Sequence, residues 1–204
     1  AIRSLGVKPG DRVAVQTGKH VDNVWLYLAC LRAGAVYLPL NPAYTPAEVD
    51  YFVSDAEPAL LVCEPATLET LRAGLGQKAI RMETLDAAGT GSLQMLAATM
   101  QPEFPTMERD ADDLAAILYT SGTTGRSKGA IISHENLRSN ALALVDIWRF
   151  TAGDVLLHAL PIFHTHGLFV AINTVMLSGA SMIYLPKFDL DSVLGAMPSA
   201  TTMM

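Results

Sequence analysis

The sequence predicts an α/β fold of layered, largely parallel sheets with flanking helices. Three observations carry this prediction. Short apolar runs of strand length alternate with longer segments whose apolar residues recur at helical spacing. The strand-length runs are apolar throughout, as in strands covered on both faces. Glycines, prolines and capping residues fall between the runs, where the chain must turn. A β-α-β-α order of this kind packs helices onto the faces of a parallel sheet.

The elements follow in order. Residues 12–16 read as a strand, and 20–33 carry Val21, Val24, Trp25, Leu28 and Leu31 at helical spacing until Gly34 stops the helix. A strand is expected over 36–40. Thr45, Pro46 and Glu48 form a helix start, with threonine as N-cap, proline at the first helical position and glutamate closing a capping box; the helix runs to about Ala56. Strand 59–63, helix 65–75, strand 79–82 and a short helix over 93–100 come next. Residues 101–113 hold two prolines and five acids with little periodicity, so they are expected to form a linker or subdomain crossing. The first α/β portion is therefore placed at 1–110 and a second at 111–204. In the second, 114–120 is a continuously apolar strand, 130–133 another, and Ser133 caps a helix over 135–148. Residues 155–159, 168–177 and 181–185 read as strand, helix and strand. No internal repeat is found.

Composition narrows the function. The 204 residues are half apolar and 17% charged, enough to bury a sizeable core, and the net charge of −6 argues against a nucleic-acid surface. No apolar run reaches the ~18 residues of a membrane span, and no signal peptide is seen, so neither a membrane nor a nucleic acid is expected as partner. Cys30 and Cys63 lie in apolar patterns and make no disulfide or metal framework, which fits a cytoplasmic protein.

The chemistry concentrates in Tyr119-Thr-Ser-Gly-Thr-Thr-Gly-Arg-Ser-Lys128, followed by Gly129. A triphosphate crowds many acceptor oxygens at high charge density, so it needs backbone N–H groups, hydroxyls and a cation at close range. Gly122, Gly125 and Gly129 permit the close backbone approach. Thr120, Ser121, Thr123 and Thr124 supply hydroxyls, Lys128 a point charge and Arg126 a planar fork. A Gly/Ser/Thr linker has similar composition, but linkers are not normally clamped between two apolar strands. The Walker loop is excluded, because its lysine follows a glycine and leads into a helix, whereas Lys128 follows Ser127 and leads into a strand. The G-x-G-x-x-G dinucleotide fingerprint fails as well.

This loop resembles the phosphate-binding signature of the adenylate-forming superfamily, which holds acyl-CoA synthetases, luciferases and peptide-synthetase adenylation domains. One position departs from the usual pattern: Ser127 stands where proline is common. The Arg126-Ser127-Lys128 variant, Trp148-Arg-Phe150, and the stretch from Leu156 to Phe169 make the chain most similar to the malonyl-CoA synthetases. The resemblance runs from Gly6 to Asp189 and implies part of the large N-terminal domain of such an enzyme, with the C-terminal domain absent. The implied reactants are ATP, a carboxylate, here malonate, and coenzyme A, with Mg2+ accompanying the nucleotide.

A second constellation is Pro161-Ile-Phe-His-Thr-His-Gly167, expected between a strand and a helix, where ligands collect in open α/β sheets. Two histidines one residue apart make half of a metal site, but no Cys, Asp or Glu lies near in sequence to complete it. The plainer reading is a polar pair satisfying a buried turn. The resemblance implies instead that this segment lines the acyl pocket, with His164 at the superfamily's aromatic or histidine position. His166 is then the candidate to face the free carboxylate of a dicarboxylic acid, as an imidazole donor.

The resemblance also implies adenine-, ribose- and metal-binding residues and a C-terminal lysine that find no match here. The 204 residues alone are therefore expected to be an inactive fragment that self-associates through exposed apolar surface. Two rival readings stay open: a non-catalytic nucleotide- or phosphate-binding module, and a phosphoryl-transfer enzyme.

Overall fold

The structure, a computed structural model, describes residues 1–120 and 126–204. It divides into two compact units, 1–132 and 133–204.

The first unit is built on a six-stranded sheet in the order β4-β3-β1-β2-β5-β6. Its strands are β1 (Arg12–Gln16), β2 (Val36–Pro39), β3 (Leu60–Cys63), β4 (Arg81–Thr84), β5 (Leu114–Thr120) and β6 (Lys128–Ser133). The pairings β1–β2, β1–β3, β3–β4 and β2–β5 are parallel, with Val13 opposite both Tyr37 and Leu60. The helices are α1 (Val21–Ala33), α2 (Pro46–Ala56), α3 (Leu68–Leu75) and α4 (Ser92–Ala98). The chain steps from β1 to β2 on one side, then recrosses β1 to form β3, so the connections reverse direction at β1. In such sheets ligands usually bind at the carboxyl ends of the strands beside a reversal of this kind.

Sequence chemistry explains the boundaries. Gly34 adopts φ 71°, the left-handed conformation that ends α1 at its carboxyl terminus. Thr45 and Glu48 form the expected capping box at the start of α2, with Pro46 in the first turn. At the far end, Arg12 Nε donates to the Ala56 carbonyl at 2.6 Å and Arg12 Nη2 to that of Glu57 at 2.8 Å, satisfying acceptors that the helix leaves open. One face of α2 buries Val49, Phe52, Val53 and Ala56 against Ala14, Leu38, Leu40 and Leu61 of the sheet.

The second unit holds a three-stranded parallel sheet, β8-β7-β9, with β7 (Val155–His158) central between β8 (Ser181–Tyr184) and β9 (Thr202–Met203). Successive residues of β7 face opposite sides. Leu156 packs with Ala171 and Val175, and Leu157 packs with Ala159 and Val193. Helices α5 (His134–Trp148), α6 (Asn173–Ser178) and α7 (Leu190–Ala196) complete it. Ser133 caps α5, its hydroxyl accepting from the Asn136 N–H at 3.2 Å.

Several expectations shift. The strand expected over 79–82 lies at Arg81–Thr84, because pairing with β3 sets Cys63 opposite Thr84. The helix expected over 65–75 opens as a 3-10 turn at Pro65–Thr67 before α3 begins. The division expected at 110/111 falls after Ile132 instead, since β5 joins the first sheet beside β2, with Ala116 opposite Tyr37. The acidic segment 101–113 thus lies inside the first unit, where the Phe104 carbonyl accepts from Arg32 Nη2 at 2.5 Å.

Candidate functional site

In the first unit, β5 ends at Thr120 and β6 begins at Lys128, so the strands flank the hydroxyl- and glycine-rich loop as expected. Ser121, Gly122, Thr123, Thr124 and Gly125 lie outside the described residues. Because β5 runs parallel to β2, Thr120 sits at the carboxyl edge of the sheet, and it is exposed.

The limbs of the loop are held by side chains of α2. Tyr51 Oη donates to the Ser127 carbonyl at 2.8 Å, and the Arg126 guanidinium carbon lies 6.0 Å from the Tyr51 ring centroid. Tyr119 Oη donates to Asp55 Oδ2 at 2.5 Å, with its ring centroid 4.6 Å from that of Phe52. Burial first, and then the Asp55 carboxylate, push the Tyr119 phenol well above its ordinary pKa, so it stays a neutral donor. Gly129 has little room for a side chain: a Cβ there would meet Ile117 Cγ2 at 3.0 Å.

Lys128 is exposed, and among the described residues it forms no ion pair and no side-chain hydrogen bond. An exposed ammonium directly after a hydroxyl-rich run of sequence suits an anionic ligand. Among the described residues there is no group of three or more His, Cys, Asp or Glu that could hold a metal ion.

In the second unit, the segment after β7 turns tightly into a π-helix, His166–Ile172, followed directly by α6. The expected helix therefore starts two residues earlier than Leu168, and with π rather than α winding. Single π turns gather at functional sites in helical proteins, and periodicity gives no warning of them. His158, fully buried on β7, bonds the Gly167 carbonyl through Nε2 at 2.7 Å and lies 5.4 Å, ring to ring, from Tyr184. Gly167 is fixed by space, since a Cβ there would come within 2.1 Å of the Pro161 carbonyl oxygen. The turn thus presents His164 and His166 outward, both exposed, with the His164 ring tilted against that of Phe163 at 4.8 Å between centroids. His158 is the internal brace of this turn.

Sequence reasoning did not single out the polar network at the carboxyl ends of β1 and β3. Glu64 accepts from the Gly18 N–H at 2.7 Å; Asn23 Nδ2 donates to Thr17 Oγ1 at 2.6 Å; Tyr37 Oη donates to Asn23 Oδ1 at 2.5 Å. Beside it Lys19 is desolvated enough to lower its pKa to about 7, and His20 is 9% exposed with neither ring nitrogen bonded among the described residues. These polar residues sit in apolar surroundings, so their pairing becomes visible only once the strands are brought together. Cys30 and Cys63 are buried and unbridged.

The model of the AMP-binding enzyme family matches residues 1–203. A feruloyl-CoA synthase from an Amycolatopsis species is 32% identical over 197 residues, covering 96% of this chain and 38% of that protein. The mitochondrial malonate–CoA ligase of Xenopus laevis is 34% identical over 179 residues, covering 87% of this chain and 31% of that protein. Among solved structures, ATP-bound MatB from Rhodopseudomonas palustris is 57% identical with a TM-score of 0.96, covering all of this chain and 40% of that one. The chain thus spans about a third of the length of the curated relatives it matches.

Proposed function

The chain belongs to the AMP-binding enzyme family, and on that premise we propose that the whole protein is an acid–thiol ligase that activates malonate with ATP and passes the acyl group to coenzyme A. In the first step a malonate carboxylate oxygen attacks the α-phosphorus, the bond to the bridging oxygen breaks, and pyrophosphate leaves. In the second, the coenzyme A thiolate attacks the acyl carbon and AMP departs. The first step is chiefly a matter of in-line positioning and of neutralising charge on the leaving pyrophosphate.

The observation that carries this reading is Lys128, exposed and unpaired among the described residues at the foot of β6, directly after the hydroxyl- and glycine-rich run. Thr120, Ser121, Gly122, Thr123, Thr124 and Gly125 supply hydroxyl and backbone donors to the phosphates, and Lys128 the charge. Magnesium bound with the nucleotide would add further neutralisation. His164 lines the acyl pocket, and His166 donates to the distal carboxylate of malonate. Support for malonate over a monocarboxylic acid comes from the two outward imidazoles and from the malonate–CoA ligases among the relatives. The residues needed for adenine, ribose and the C-terminal lysine have no match in these 204 positions, so the isolated piece is inactive.

Pyrophosphate release by the full-length protein tests the two roles separately. Lys128→Ala lowers turnover with every acid by about 100-fold or more, the scale of losing one preorganised charge stabiliser. His166→Ala raises KM for malonate about tenfold or more, the scale of a lost hydrogen bond to a charged group, and leaves acetate unaffected. Unchanged malonate kinetics in His166→Ala would remove that assignment.

A further inference from the structure

The reading of residues 119–129 as the phosphate loop leaves open what holds that loop in shape. We propose that α2 is its support, with Tyr51 and Asp55 as positioning residues that fix the two limbs of the loop from outside the phosphate site. The two side chains are four residues apart, one helical turn, and so share a face of α2. Each takes a different limb. Tyr51 Oη donates to the Ser127 carbonyl at 2.8 Å on the limb entering β6, and Asp55 accepts from Tyr119 Oη at 2.5 Å on the limb leaving β5.

The helix face carrying them is anchored. Phe52, between them in sequence, is buried in the core and packs its ring 4.6 Å from Tyr119, while the Tyr51 ring stands 5.3 Å from Phe52 and 6.4 Å from Tyr119. The capping box at Thr45 and the Arg12 bonds at the carboxyl end fix the helix at both ends. Fixing backbone costs conformational entropy, most of all for glycine. Limbs already fixed reduce that cost at the moment of binding, which is preorganisation expressed as nucleotide affinity. Tyr51 has a second role, since its ring face holds the Arg126 guanidinium at 6.0 Å, near the outer range of a cation–π contact.

In the full-length protein, Tyr51→Phe removes the hydroxyl and keeps the ring. It is expected to raise KM for ATP about three- to tenfold, the scale of one hydrogen bond, with KM for the carboxylate and the melting temperature unchanged. Asp55→Ala gives the same pattern, and Asp55→Asn, which keeps an acceptor for Tyr119, restores ATP affinity. Lys128→Ala runs in parallel. If it raises KM for ATP while Tyr51→Phe and Asp55→Ala do not, the support role is overturned and the phosphate loop stands. If the Tyr51 and Asp55 variants raise both KM values and lower the melting temperature together, these residues serve only packing, and the proposal falls. If Lys128→Ala leaves both turnover and KM for ATP unchanged, the phosphate-loop reading fails and takes the proposal with it.

Discussion

His20 shows how a single side chain couples this fold to pH. It occupies the N-cap of α1 without capping it, and neither ring nitrogen has a partner among the described residues. Burial lowers its pKa, and the carboxylates of Glu64, Asp22 and Asp86 offset only part of that effect. The folded value therefore lies below the ordinary one. As pH falls through about 6.5 the unfolded chain takes up a proton that the folded chain refuses, so stability falls on acidification. The urea midpoint is expected to drop between pH 7 and pH 5.5, and His20→Gln, which cannot titrate, to flatten that drop. Equal slopes in both proteins would show that His20 does not set it. Other single residues were legible at once: Gly34, Thr45, Glu48, Ser133 and Lys128 have roles that follow from residue type and neighbours. Glu64 was not, because the Gly18 N–H it accepts from lies far away in sequence, and neither were the burial of His20 nor the bond that Asn23 accepts from Tyr37.

At the scale of elements, the capping box on α2 is the most exposed to a simple test. Thr45 Oγ1 accepts from the Glu48 N–H at 3.3 Å, while Glu48 Oε2 accepts from the Thr45 N–H at 2.8 Å. Thr45→Ala should cost about 1 kcal/mol in urea unfolding, and a cost near zero would mean that core packing alone holds the helix start. The local signals that place this helix also explain which elements could be read beforehand. β1, α1, α2, β5 and α5 have strong periodicity or clear caps, and they lie within one residue of expectation. Elements decided by tertiary pairing were harder. β4 took its register from β3, the turn into the π-helix is dictated by the close approach of Gly167 to Pro161, and α7 and β9 carry too little periodicity to be assigned. Tyr51 and Asp55 were legible as members of a helix, but not as partners of the loop, since those bonds span dozens of residues.

At the scale of the whole molecule, the fold class and the family were both legible, and the two candidate segments were named before their surroundings were known. The first unit presents a loop flanked by β5 and β6 and braced by α2. The second presents two outward histidines on a turn braced by His158. Among the described residues no helix is long and apolar enough to cross a membrane. Large apolar side chains nevertheless remain exposed, among them Trp25, Ile147, Phe188 and Leu190. Surface of this kind usually meets other protein, which is in keeping with a chain that spans about a third of its relatives' length.

The role proposed for this chain is to supply the phosphate loop of a malonate-activating ligase. It is tested most directly by the products that the full-length protein makes from ATP with malonate, acetate and a longer fatty acid, beside the 204 residues alone. AMP and pyrophosphate are expected with malonate, little product with the other acids, and no acyl-CoA from the isolated piece. ADP as the product, no turnover with any acid, or acyl-CoA formation by the 204 residues alone would contradict it.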